Sequence, residues 1–230
     1  FNESGLLKAG EIVRQKDLAK TFRLLQQKGP AVFYEGELGI AFLDGVRQHQ
    51  PGSGLLDKKD LKNYDLLRTD ALYSTYKGYD IFTASPPSAG GVMFLAACHI
   101  LEKIDLSKYA GRPETVHYIG ETMKQVHPLQ QWIGDPDLFD LPVASILSKE
   151  WAAKKAASIP ADKPGRYGVS KYLSLPEGKK PVSVSVLIID RHGNIANYSA
   201  SLGDAFGSGQ MAPGTGIFLN DLLMDFSMDP

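Results

Sequence analysis

A chain segment that alternates apolar and polar residues in period two has a single good solution, a strand with two unlike faces. Residues 182–190, Val-Ser-Val-Ser-Val-Leu-Ile-Ile-Asp, open in this way. Val182, Val184 and Val186 fall on one face, and Ser183, Ser185 and Leu187 on the other. Asp190-Arg191-His192-Gly193-Asn194 supplies turn chemistry, and residues 195–202 return as a second strand. The hairpin displays a hydroxyl, that of Ser183, at the start of its first strand. Serine is also a common filler on a solvated strand face, so the hydroxyl alone does not define a site.

The residues that follow are more specific. Phe206-Gly207-Ser208-Gly209, Pro213-Gly214-Thr215-Gly216-Ile217, Leu219-Asn220 and Asp225-Phe226-Ser227 occur in that order. Upstream stand Gly10-Glu11, Asp17-Leu18-Ala19-Lys20-Thr21, Phe33-Tyr34-Glu35-Gly36, Tyr76-Lys77-Gly78-Tyr79, Pro86-Pro87-Ser88-Ala89-Gly90-Gly91 and Gly134-Asp135-Pro136-Asp137. In this shared order the chain resembles the gamma-glutamyltransferase (gamma-glutamyltranspeptidase) family of N-terminal nucleophile hydrolases.

The resemblance implies a precursor that cuts itself into a large and a small subunit, with this chain beginning midway through the first and stopping early in the second. Segments expected to carry the arginine that grips the substrate carboxylate, and the serine pair and glycine donors of the oxyanion hole, would lie outside it. By the family's spacing the nucleophile is Ser183, where members carry threonine. Its hydroxyl breaks the preceding bond, and the freed α-amino group then serves as its general base. Ser201 stands where a threonine hydrogen-bonds the nucleophile, and Asp225 where an aspartate pairs with the substrate ammonium. The chain departs from the family at Val184 and Ser185, which replace threonine and histidine. Gly203 and Leu222 replace amide or carboxylate side chains that help hold the glutamyl α-amino group. Val126-His127-Pro128-Leu129 replaces an alanine-aspartate-arginine run.

Composition excludes several other functions. At 230 residues and 43% hydrophobic content the chain can bury a substantial core. Its 25 basic and 26 acidic residues nearly cancel, leaving no basic field for nucleic acid. No run approaches the roughly 18 apolar residues of a membrane span. Phe1-Asn2-Glu3-Ser4-Gly5 is unlike a signal peptide, and only the resemblance suggests a periplasmic or secreted setting. Cys98 lies in an apolar helical run and reads as a buried thiol. The five histidines show no metal-ligand spacing, so neither a metal nor a cofactor is expected. The glycines of 206–216 lack the lysine and following helix of a phosphate cradle and read as loop-shaping residues.

Periodicity predicts helices over Asp17–Lys28, after Glu35, and over 91–103, 113–126 and 148–158, with two strands between 64 and 84 separated near Gly78. From Ile159 to Pro181 the pattern fades into proline, glycine and lysine, as expected of a mobile connector. The expected organisation is a large-subunit portion over 1–158, a connector over 159–182, and the start of the small subunit over 183–230. The fold class is mixed α/β (α+β), which the resemblance places in the layered αββα architecture. The implied reaction moves a gamma-glutamyl group from a glutathione-like donor to water or an amine through an acyl-enzyme on Ser183. The remaining segments of its own precursor are the expected macromolecular partners. A non-catalytic scaffold or binding relative, or a family amidase with a non-glutamyl substrate, are the alternatives.

Overall fold

The computed structural model describes residues 8–49, 56–167 and 182–225. In chain order its elements are α1 (Lys16–Lys28), α2 (Ala31–Tyr34), α3 (Glu37–His49), α4 (Lys58–Asn63), β1 (Leu72–Tyr76), β2 (Tyr79–Thr83), α5 (Ala89–Glu102), α6 (Pro113–Val126), α7 (Val143–Ile146), α8 (Lys149–Ala157), β3 (Ser183–Ile189), β4 (Ile195–Ser201), β5 (Met211–Ala212) and β6 (Ile217–Phe218). Short 3-10 turns cover Leu106–Tyr109, His127–Trp132 and Leu222–Asp225. The strands form three antiparallel pairs, β1-β2, β3-β4 and β5-β6. The fold is therefore mixed α+β, and the chain divides into two compact units.

One unit comprises Leu67–Leu175. Its core is built around α5, whose apolar residues occupy every side of the helix, so that Val92, Ala96 and Ile100 are fully buried. Ala97, Val126, Leu129, Ile133, Ile146, Ala152 and Ile159 complete the cluster. Cys98 is buried here, and loss of solvent, followed by the charge of Glu102, pushes its thiol pKa up. Serine at 148 starts α8 by accepting the Trp151 N–H at 3.1 Å.

Residues just after α8 are held against α6. Ile159 is in the core, His117 Nε2 lies 2.7 Å from Pro160 O, and Glu121 Oε2 accepts the Gly165 N–H at 2.9 Å. Glu121 is 4% exposed and also takes Lys124 Nζ at 2.6 Å. Burial alone would raise its pKa, but hydrogen bonds from Lys124, Gly165 and Tyr167 outweigh that and hold it low. Of the connector expected over 159–182, residues 168–181 lie outside the described residues.

The other unit comprises Phe1–Leu66 with Pro176–Pro230. Phe42, Leu43 and Val46 of α3 bury Ala212 of β5, with Phe33, Leu61, Ile217 and Leu219 packed around them. A Cβ at Gly45 would lie 2.7 Å from Pro213 Cδ, so glycine is what lets α3 approach this loop. Capping at α4 is reciprocal: Asp57 accepts the Asp60 N–H while the Asp60 side chain accepts that of Asp57. β3 is exposed along its whole length. The period-two pattern thus gives the hairpin its two faces, but neither face is covered among the described residues, because β3 and β4 form a sheet of only two strands.

Candidate active site

The turn at Asp190 sets the geometry. Its Oδ1 accepts the N–H groups of His192 at 2.8 Å and Asn194 at 2.9 Å, while Oδ2 accepts Asn194 Nδ2 at 2.8 Å. These bonds, that of the Asn194 side chain foremost, hold the Asp190 pKa below its usual range. The turn fixes a register that pairs Ile189 with Ile195 at the near end and Ser183 with Ser201 at the far end. A slip of one residue would exchange every side chain between faces, so the turn decides what Ser183 meets.

Ser183, Ser185, Ser199 and Ser201 form a cross-strand ladder of hydroxyl residues, with the Ser185 and Ser199 Oγ atoms 2.9 Å apart. At its end, Ser201 Oγ accepts the Gly203 N–H at 3.0 Å. The same oxygen donates its proton to Val182 O at 3.3 Å. Occupation of the lone pair by Gly203 leaves the hydroxyl proton for the Val182 carbonyl. That carbonyl belongs to the bond joining Val182 to Ser183. The Val182 N–H, which belongs to the preceding peptide, donates to Gly203 O at 2.9 Å, so the 201–203 segment holds residue Val182 through both its N–H and its C=O.

Beyond Ser201 the chain turns at Gly203, where φ is +90, a region that side-chain-bearing residues rarely adopt. A Cβ added at Gly203 would lie 1.7 Å from Asp221 Oδ1. That oxygen accepts the Asp204 N–H at 3.1 Å, and the Asp221 N–H donates to Leu202 O at 3.0 Å. An acidic side chain therefore stands where position 203 has none. Sequence reading missed it because the two residues are far apart along the chain. The only local hint was a glycine directly after the returning strand.

Leu222 is exposed at 37%, in the 3-10 turn that ends at Asp225. The Asp225 side chain lies outside the described part of the structure, so of the three site residues read from sequence the fold brings together Ser183 and Ser201. The glycine loop at 213–216 is a packed turn. Thr215, 1% exposed, donates to Ala212 O at 2.7 Å and accepts the Ile217 N–H at 3.1 Å. Thr21 of α1 caps it by donating to Thr215 O at 2.7 Å. Among the described residues no group of three or more His, Cys, Asp or Glu is placed to share a metal ion. No helix among them is long and apolar enough to cross a membrane.

The family model described as gamma-glutamyltranspeptidase matches residues 1–230. The chain belongs to that family. It is 32% identical over 240 residues to the glutathione hydrolase proenzyme of Bacillus subtilis (strain 168), covering 97% of this chain and 40% of that protein. The glutathione hydrolase proenzyme of Pseudomonas sp. (strain A14) is 33% identical, covering 99% of this chain and 39% of the relative. Among solved structures, the gamma-glutamyltranspeptidase of Helicobacter pylori superposes with a TM-score of 0.61 at 31% identity, over 67% of this chain and 44% of that one. The chain thus spans about two fifths of the length of these gamma-glutamyltranspeptidase-family relatives.

Proposed function

We propose that this chain carries the nucleophile of a gamma-glutamyltransferase-like proenzyme, and that Ser183 first cleaves the bond before itself and then transfers gamma-glutamyl groups. The observation that carries the reading is the Ser201 hydroxyl donating to the Val182 carbonyl, the carbonyl of the bond to be cut.

In maturation, Ser183 Oγ adds to the Val182 carbonyl carbon and loses its proton. Negative charge develops on Val182 O, where the Ser201 hydroxyl donates. Collapse breaks the C–N bond, the nitrogen takes a proton, and the acyl group rests on Ser183 Oγ as an ester. Water hydrolyses the ester, leaving a carboxylate on Val182 and a free α-amino group on Ser183. In turnover that amine takes the Ser183 hydroxyl proton as Oγ attacks the γ-carbonyl of a glutathione-like donor. The leaving amine departs with a proton. The acyl-enzyme is then resolved by water or an amine acceptor, and Asp225 pairs with the donor ammonium.

The exposed hairpin fits a chain that works within a longer precursor. Val184, Leu187, Ile188 and Ile189 of β3, and Ile195 and Tyr198 of β4, are each 59% exposed or more. A lone two-stranded hairpin is marginally stable in water, so further strands of the same precursor are the natural cover for these faces.

The test is the intact mass of the purified full-length protein. Two chains, the smaller beginning at Ser183, are expected, with one uncut chain for Ser183→Ala. A single uncut wild-type chain would favour a non-catalytic relative, and a cut at any other bond would remove Ser183 as the nucleophile.

A further inference from the structure

We propose that the hydroxyl pair of Ser185 and Ser199 holds the attacking water or amine against the acyl-enzyme, one step along the hairpin from Ser183. The inference rests on the gamma-glutamyl reading above and adds to it the place from which the second half of the reaction is served.

The hydroxyls are not spread along the strand as solvated filler would be. On the face that carries Ser183, the cross-strand pairs run Ser183 with Ser201, Ser185 with Ser199, Leu187 with Asn197 and Ile189 with Ile195. Hydroxyls therefore gather at the reactive end and aliphatic side chains at the turn. The opposite face pairs Val184 with Ala200, Val186 with Tyr198 and Ile188 with Ala196, and carries no hydroxyl but that of the tyrosine. A hairpin with aliphatic side chains on both faces is suited to being covered on both, and a hydroxyl covered there must find a hydrogen-bond partner.

Ser185 Oγ lies 2.9 Å from Ser199 Oγ and donates to Asn197 Oδ1 at a longer 3.5 Å. The amide oxygen only accepts, so Ser185 gives its proton to Asn197 and Ser199 gives its own to Ser185. Both lone pairs of Ser199 are then open to an N–H or O–H donor, which is what water and amines are. The spacing fits as well. Ser199 stands diagonally across from Ser183, at about 7–8 Å, and Ser185 two residues along the same strand, at about 6.6 Å. One covalent bond from Ser183 Oγ to the acyl carbon, an attack distance of about 3 Å and a hydrogen bond of about 2.8 Å span nearly the same length.

In this step the oxygen or nitrogen of the nucleophile bonds to the acyl carbon while one of its protons passes to the Ser183 α-amine. The ester C–O bond breaks, its electron pair stays on Ser183 Oγ, and the amine returns the proton there. The Ser185–Ser199 pair exchanges no proton. It occupies a second N–H or O–H of the nucleophile and so turns the lone pair towards the ester.

The experiment compares Ser199→Val with Ser199→Thr in the matured full-length enzyme. Both side chains are β-branched and similar in shape, so strand packing is matched and the hydroxyl differs. Gamma-glutamyl p-nitroanilide is turned over with and without glycylglycine, and acid-quenched intact mass gives the fraction of small chains that carry the ester. The turnover number divided by that fraction is the rate constant of ester breakdown, while kcat/KM follows ester formation. Ser199→Val should slow breakdown about fivefold relative to Ser199→Thr, leave kcat/KM within about twofold, and show no fall in the esterified fraction. Ser185→Ala should move the same quantities in the same directions by a smaller factor, and it carries the test where Ser199→Val does not mature. Equal losses in breakdown and in kcat/KM, or unchanged breakdown, would overturn the role of the pair and leave the gamma-glutamyl reading intact. A matured wild type that forms no ester on Ser183 would overturn both.

Discussion

Replacing Ser201 by alanine tests the coupling between hairpin geometry and self-cleavage. In the ground state the Ser201 hydroxyl donates to the Val182 carbonyl at 3.3 Å, a long and exposed bond worth no more than about 1 kcal/mol. As Ser183 attacks, that oxygen acquires negative charge and the same donor becomes an oxyanion contact. Loss of one such donor in a formed site costs about 2.7–4 kcal/mol. The length of the bond argues for less, so about 2 kcal/mol is expected, a slowing of roughly 30-fold. A second effect has the same sign: without Oγ the Gly203 N–H loses its acceptor, and the clamp on Val182 loosens. Threonine at 201 keeps the hydroxyl and should process within about threefold of wild type. The assay follows the uncut proenzyme by intact mass after synthesis is stopped, with circular dichroism melts to verify folding. Ser201→Ala maturing at the wild-type rate would refute the oxyanion role, and equal slowing in Ser201→Thr would point to strand packing instead.

Asp225→Ala should lower kcat/KM for gamma-glutamyl donors by about 2 kcal/mol if its carboxylate pairs with the ammonium and leave donors without the α-amino group nearly unchanged; steady-state kinetics on gamma-glutamyl p-nitroanilide and glutaryl p-nitroanilide read the difference. Gly216→Ala forces a side chain into the left-handed region, at φ +71, with its Cβ 2.5 Å from Leu18 N, and should destabilise the chain by about 2 kcal/mol or more in urea titration. Glu121→Gln removes a buried carboxylate whose pKa is lowered in the folded state, so its stabilisation is present above the unfolded value near about 4.3 and is lost as pH falls through the folded value. The wild-type advantage in Tm over the glutamine variant should therefore be flat at neutral pH and shrink in acid; an advantage that grows on acidification would reverse the sign argued here.

Much of the secondary structure was legible because it depends on local rules. The apolar run through Val92, Ala96 and Ile100 could only be a buried helix, and α5 spans Ala89–Glu102. The strands flanking Gly78 pair with Tyr76 opposite Tyr79, and the Asp190 turn sets the register of β3 and β4 as its residues suggested. The short elements were not legible. α2 and the 3-10 turns are too brief to show a period, and they form where the chain packs rather than where propensity is strong. Burial of the hairpin was illegible for another reason: alternation tells which residues share a face, but not what covers it.

The candidate site divides along the same line. The pairing of Ser183 with Ser201 was recoverable because a hairpin converts separation along the chain into a fixed register once the turn is known. Asp221 was not, since no periodic element links it to Gly203. Read from sequence, position 203 shows only the loss of a side chain. In the fold the space is filled by another residue, and a Cβ at Gly203 would lie 1.7 Å from Asp221 Oδ1, so the Asp221 side chain would have to move. Substitutions at 203 and 221 are therefore coupled, and their effects on stability in urea titration should be non-additive: Gly203→Asp alone, which sets two carboxylates against each other, should be worse than the same change with Asp221→Ala.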